Sequence, residues 1–169
     1  MGMTSRLHKL TVCAVSLSLA LVLSYLEHLL PLPLPVPGIK LGLPNILIIF
    51  VLYRLGLRSA ATVSTVRIAL VALLFGNTMT LAYSLAGAVL SLAVMAFLKR
   101  MDFLSTVGVS VAGGVFHNVG QILMAMLLLG TAELGYYLII LTFTGTISGI
   151  LVGLCGSMMV KRIKHKSIR

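Results

Sequence analysis

The sequence predicts an all-α integral membrane protein that forms a bundle of six transmembrane helices. Of its 169 residues, 59% are hydrophobic and 9% are charged, whereas a soluble domain carries about 25% charged residues. The mean hydropathy is +1.13, and the apolar residues form runs long enough to cross a bilayer. This composition excludes a soluble globular domain and a disordered chain.

Six apolar runs define the predicted helices, because a spanning helix needs about 20 apolar residues. The runs cover residues 10–30, 41–57, 58–75, 78–98, 105–129 and 136–160, and together they make one transmembrane domain over 1–169. The second and third runs are nearly continuous. We divide them at Arg54–Gly56–Arg58 because a single helix over 41–75 would far exceed the bilayer.

The basic residues predict that both termini lie in the cytoplasm. The chain has 13 Lys and Arg against 3 Asp and Glu, a formal net charge of +10. All of these basic residues except Lys40 and Arg67 fall on one side of a six-helix topology, which the positive-inside rule assigns to the cytoplasm. Because they flank apolar runs, we expect them to anchor the topology and contact anionic lipids, and we expect no nucleic-acid binding.

The segment after the first predicted helix alternates proline with apolar residues. Pro31, Pro33, Pro35 and Pro37 fix the backbone angle φ and lack an N–H donor, so the segment is expected to be extended and stiff. Two interpretations remain open. The segment is either a rigid connector or a lid over an outward-facing cavity.

Small residues recur at the spacing that allows helices to approach closely. Two such sets are Ser16, Ala20 and Ser24 in the first predicted helix, and Gly145, Gly149 and Gly153 in the last. Each set has two interpretations, packing within the bundle or a face that docks to another membrane subunit. The set in the first helix is the candidate for partner docking.

Polar side chains inside or beside the predicted spans are the candidate ligand-binding residues, because polar groups are costly in a bilayer. They are Glu27, Lys40, Asn45, Arg67, His117, Asn118 and Gln121. Pro44 suits the start of a helix, whose N-terminus carries partial positive charge. With Lys40 and Arg67, this start favours an anionic or carbonyl-rich ligand entering from outside. The alternatives are a structural ion pair for Arg67 and interhelical hydrogen bonds for the polar residues of the fifth helix.

Residues for catalysis or metal binding are scarce. The three acids, Glu27, Asp102 and Glu133, lie far apart in sequence and form no pair on one helix. Cys13 and Cys155 lack a second thiol at metal-binding spacing. We therefore expect no catalytic residues, no metal and no cofactor, and ATP-driven work would need a partner subunit.

Several motifs together resemble one bacterial membrane family. They are Lys40-Leu41-Gly42-Leu43-x-Asn45, Arg67, Ser84-Leu85-Ala86-Gly87, Leu90-Ser91, Val94-Met95, Gly108-Val109-Ser110 and His117-Asn118-x-x-Gln121. Over about residues 10–155 the chain resembles the family labelled heptaprenyl diphosphate synthase component I, also called the Gx transporter family. Pro44 departs from the family pattern, which usually has alanine there.

The resemblance implies a function in uptake. The family is similar to the substrate-binding (S) components of energy-coupling factor (ECF) transporters, six-helix proteins with an outward-facing site capped by the loop after helix one. Such S components dock through small residues on helix one to a transmembrane (T) subunit and two ATPases in the bacterial cytoplasmic membrane. The implied ligand is a small, anionic or vitamin-like molecule or precursor.

The family name implies a different role. As an alternative, the chain would be an accessory membrane protein of isoprenoid or menaquinone synthesis, or of flavin-based extracellular electron transfer. In that case the polar residues would hold a lipid-like head group or contact a partner protein.

Overall fold

The protein is all-helical over residues 3–29 and 42–163, the part of the chain that the computed structural model describes. These residues form six α-helices and one short 3-10 helix. The helices are α1 (Met3–Leu29), α2 (Asn45–Leu55), α3 (Leu57–Phe75), α4 (Thr78–Arg100), α5 (Thr106–Leu129) and α6 (Tyr137–Arg162), with the 3-10 helix at Ala132–Tyr136. The helical class is therefore confirmed. The proline segment and the last six residues of the basic tail lie outside the described residues.

The helix ends differ from the predicted ends for local reasons. α1 begins at Met3 rather than residue 10, because the helix continues into the polar residues that precede its apolar run. α2 starts after Pro44 and stops before Gly56, where φ is 88°, a conformation that favours glycine. α4 and α6 continue into basic last turns at Arg100 and Arg162, where positive charge interacts favourably with the helix dipole.

Five of the helices in the described part are long and apolar enough to cross a membrane, which makes the chain a multi-pass membrane protein. α2 differs because its 11 residues extend only about 16 Å. Its residues Leu47–Leu52 are all buried in succession. α2 is therefore a central helix surrounded by the others. Six spans and the orientation of the termini stay predictions.

The glycines of α6 allow it to lie directly against α5. A Cβ added at Gly149 would come within 2.6 Å of the Cα of Val111, and one added at Gly153 within 2.8 Å of the Cα of Val107. A real side chain would force the two backbones apart. The interpretation of this set as packing within the bundle is confirmed.

The small residues of α1 also pack inside the chain. Ser16, Ala20 and Ser24 are only 3%, 0% and 8% exposed, respectively. α1 packs against α2 and α3. The prediction that these three residues form a partner-docking face is therefore wrong for this conformation, because a docking face must be accessible.

Two basic side chains fasten the C-terminal end of α2 to its neighbours. Arg54 donates hydrogen bonds to the carbonyl oxygens of Val160 and Ile163 at the end of α6. Lys99 Nζ of α4 donates to the carbonyl oxygen of Leu52 at 2.7 Å. Both contacts satisfy carbonyl groups that helix ends leave unpaired.

Candidate functional site

A polar cavity of about 310 Å³ lies at the end of the bundle where α2 begins. All six helices contribute to its wall. The lining includes Glu27, Asn45, Arg67, His117, Asn118 and Gln121, which are six of the seven predicted ligand-binding residues. The seventh, Lys40, lies outside the described residues.

Helical spacing explains why the α5 residues meet in this cavity. Gly114, His117, Asn118 and Gln121 all line it, and they are separated by three or four positions. Residues at that spacing share one face of an α-helix. The His117-Asn118-x-x-Gln121 motif is therefore a single polar surface facing the cavity.

Arg67 projects from the middle of α3, and its side chain makes no hydrogen bond to a described residue. Its Nε atom is buried and makes no hydrogen bond to any described residue. The guanidinium is attracted electrostatically by Glu27 of α1. A buried donor without an acceptor costs about 1–3 kcal/mol, so a ligand oxygen at this position would gain a hydrogen bond that the protein does not make itself.

Glu27 occupies the entry to α2. Its carboxylate accepts a hydrogen bond from the backbone N–H of Gly42. Gly42 has a φ of +72°, and a Cβ there would lie 3.1 Å from Nδ2 of Asn45. The carboxylate thus lies at Gly42, three residues before the first residue of α2. An anionic ligand at the start of α2 stays a prediction.

Gly87 of α4 makes room for the polar face of α5. An added Cβ would lie 2.7 Å from the carbonyl oxygen of His117 and 2.9 Å from Cγ of Gln121. The imidazole of His117 also hydrogen-bonds to the backbone of Gly87. The ring is thus held against α4, within electrostatic range of Arg67.

Asn118 has a structural contact in addition to its place in the cavity wall. Its Nδ2 atom donates to the carbonyl oxygen of Leu141 on α6 at 2.7 Å. Gly145 leaves space for this amide, because a Cβ there would lie 2.8 Å from Asn118 Nδ2. The side chains of Asn45 and Gln121, by contrast, make no hydrogen bond within the described part of the chain and face the cavity.

The cavity also has polar lining residues that the sequence analysis missed. They are Ser24, Asn77, Thr80, Tyr83, Ser84 and Ser148. Asn77 caps α4 by accepting from the N–H of Thr80 at 2.8 Å. Hydroxyl groups are common in membrane helices and often bond to their own backbone, so only Asn77, just before an apolar run, offered a sequence signal.

The three acids do not come together in one site. Glu27 lies in the cavity, Asp102 follows α4, and Glu133 is in the 3-10 helix. Within residues 3–29 and 42–163, no group of three or more His, Cys, Asp or Glu residues is placed to hold a metal ion.

Comparison with known proteins gives the family. The family model described as heptaprenyl diphosphate synthase component I matches residues 17–159. The chain belongs to this family. The matched residues include every described residue that lines the cavity. No curated protein and no solved structure matches the chain.

By its description, the family is one component of a synthase. A component works with at least one partner, and for this family that partner would meet a multi-pass membrane protein. The cavity and its polar residues belong to that membrane component.

Proposed function

We propose that this chain is the substrate-binding S component of an ECF-type, ATP-driven uptake transporter in the bacterial cytoplasmic membrane. The observation that carries the proposal is the polar cavity of about 310 Å³ at one end of an otherwise apolar bundle. Pockets for small molecules begin at about this size. Polar groups this deep in a membrane protein are typical of a substrate pathway.

Charge and topology support an external, anionic ligand. The positive-inside rule puts the end of the bundle that holds the cavity outside the cell. The unpaired Nε of Arg67 attracts an anionic group, while Asn45 and Gln121 offer hydrogen bonds to uncharged polar parts. Lys40, by its place in the sequence close to Asn45, would add positive charge at the entrance.

The proposed cycle has no catalytic step in this chain. The ligand enters from outside, binds between Arg67 and the α5 face, and is released inside after a T subunit and two ATPases drive reorientation. The small-residue stripe of α1 is buried, so the T subunit would have to dock elsewhere on the bundle.

The alternative role, as an accessory protein of isoprenoid or menaquinone synthesis or of flavin-based electron transfer, is favoured by the family description. The cavity lining argues for the transporter. A long isoprenoid chain needs an extended apolar groove, whereas this cavity combines apolar side chains such as Ile68 and Met79 with amides, hydroxyls and the opposite charges of Arg67 and Glu27.

Affinity purification from native membranes in mild detergent tests the choice between the two roles. Recovery of a T subunit together with two ATPases would support the transporter. Recovery of a prenyl synthase or a redox protein without ATPases would reject uptake as the main role.

A further inference from the structure

A second, smaller chamber adjoins the main cavity in the interior of the bundle. It has a volume of about 30 Å³ and shares Asn45, Arg67, Gly114, His117 and Ser148 with the main cavity. Hydroxyl groups of four helices line it, from Ser64 of α3, Ser91 of α4, Ser110 of α5 and Ser148 of α6. We call it the serine chamber.

Three of these hydroxyls, those of Ser64, Ser110 and Ser148, make no hydrogen bond to a described residue. Ser64 and Ser110 are each 3% exposed. Ser91 differs, because its hydroxyl donates to the carbonyl oxygen of Gly113 at 2.8 Å. Ser64 and Ser110 therefore keep donors available toward the chamber.

The guanidinium of Arg67 supplies positive charge to the serine chamber. Ser64 precedes it by three positions on α3, so the two residues share a helix face. The unpaired Nε of Arg67 is buried at the boundary between the chamber and the main cavity. One guanidinium and the hydroxyls of Ser64 and Ser110 thus converge on one small volume, an arrangement that suits an oxyanion.

The size of the chamber limits which oxyanion fits. A cavity needs a volume of about 10–15 Å³ to hold each water-sized group. A volume of about 30 Å³ therefore accommodates about two oxygen atoms, as in a carboxylate. A phosphate, with four oxygens, would extend from the chamber into the main cavity.

The charges of the cavity also favour a carboxylate over a more highly charged anion. Among the described lining residues, Arg67 carries the one permanent positive charge, and Glu27 opposes it. Because Glu27 already offsets Arg67, each negative charge of a ligand is costly in this low-dielectric site. A singly charged carboxylate therefore costs less than a diphosphate.

We propose that the serine chamber receives the carboxylate of a small monocarboxylate, with Arg67 as counter-charge and Ser64 and Ser110 as hydrogen-bond donors. This inference rests on the proposed function and names the substrate class of the same site. The ligand enters carboxylate first, and its uncharged polar part remains in the main cavity beside Gln121.

Thermal unfolding of the purified full chain tests the assignment with propionate, its neutral isostere propionamide, and inorganic phosphate. A thiol-reactive dye reports unfolding through Cys13 and Cys155, which are half-buried in the helices. Propionate should raise the midpoint in a saturable way, while propionamide and phosphate leave it unchanged. Stabilisation by phosphate, or equal stabilisation by propionamide, would overturn the carboxylate assignment.

Variants then test the chamber itself. Ser64→Ala and Ser110→Ala should each need about threefold to tenfold more propionate for the same shift, because each removes one hydrogen bond. Ser18→Ala is the matched control, since this serine lies on the exposed side of α1 and bonds only to the carbonyl oxygen of Ala14. Wild-type response in both chamber variants would overturn the proposal.

Different results would contradict the carboxylate assignment and the proposed function. If the wild-type chain retains a neutral molecule or a phosphate ester from a cell extract, capture stands and the carboxylate assignment is overturned. If it retains no small molecule whose binding depends on Arg67, the proposed function itself is contradicted.

Discussion

Two properties of Arg67 indicate that it binds a ligand and does not serve only to stabilise the fold. It carries a full charge in the middle of α3, and its buried Nε has no hydrogen-bond partner among the described residues. The Nε of Arg54 is also unpaired among the described residues, but its Nη2 donates to the carbonyl oxygens of Val160 and Ile163. The side chain of Arg67 makes no hydrogen bond at all to a described residue. Arg67 instead retains a donor for something that the protein does not supply.

Replacing this arginine should therefore abolish binding without unfolding the protein. For Arg67→Met we expect loss of ligand retention and an unfolding midpoint within a few degrees of wild type. The side chain makes no hydrogen bond to a described residue, and removal of its desolvated charge offsets the lost attraction to Glu27. Binding is measured by mass spectrometry of molecules retained from a cell extract, and unfolding by the thiol-dye assay.

Arg58→Met is the control for this variant. Arg58 is exposed at the other end of the same helix, so its loss changes the net charge equally and leaves the cavity untouched. Wild-type retention by Arg67→Met, or loss of retention by Arg58→Met, would show that the cavity charge does not hold the ligand.

At the scale of the elements, the bundle depends on how closely α5 and α6 approach. Gly149 lies against the backbone of α5, where a Cβ would come within 2.6 Å of Val111 Cα and 3.0 Å of the carbonyl oxygen of Ser110. Backbone cannot move aside as a flexible side chain can, so even one methyl group must separate the helices.

Gly149→Ala should destabilise the protein by about 1–3 kcal/mol, the usual cost of overpacking. A lowered midpoint in the thiol-dye assay would show this. Gly135→Ala is the matched control, because the nearest atom to its added Cβ is Met126 Cε at 4.0 Å. Equal midpoints for the two variants would mean that α5 and α6 are not in this close contact.

The contact between Arg54 and the end of α6 gives a second prediction for the elements. Arg54→Met removes the donor that satisfies the carbonyl groups of Val160 and Ile163, so the last turn of α6 should fray. Hydrogen exchange at the amide of Ile163, which now bonds to the carbonyl oxygen of Met159 at 3.0 Å, should become faster.

Arg58→Met again serves as the comparison, because Arg58 is exposed and makes no side-chain hydrogen bond in the described part of the chain. Unchanged exchange at Ile163 in the Arg54 variant would mean that α6 ends independently of α2.

At the scale of the whole molecule, the orientation in the membrane decides which side the cavity faces. The rule based on Lys and Arg places Asn77 and Glu133 outside and Asp102 inside. Single cysteines at these positions, in a chain with Cys13→Ala and Cys155→Ala, should react with an impermeant thiol reagent at 77 and 133 in intact cells. Labelling at 102 instead would reverse the topology and contradict uptake from outside.

The sequence predicted the helices well because spanning a bilayer imposes a length and a composition. Its errors lie where other forces act. α1 extends beyond its apolar run because a helix does not have to end at the membrane boundary. α2 is short because Pro44 and Gly56 limit it, and its burial on all sides follows from packing that no single helix encodes.

The polar residues of the site were predictable because charged and amide groups are rare in apolar helices. Six of the seven line one cavity. Ser64, Ser110 and Ser148 were missed because serine is ordinary in such helices and gains importance only from the helices that face it. For the same reason Ser16, Ala20 and Ser24 were assigned to a docking face, although they are buried against the neighbouring helices.

Ligand capture by the cavity is tested most directly by identifying the small molecule that the chain retains from a cell extract, in wild type and in Arg67→Met. We expect the wild-type chain to retain a small, water-soluble carboxylate that the variant does not retain. Retention of an isoprenoid or a quinone by both would contradict capture in this cavity and favour the accessory role.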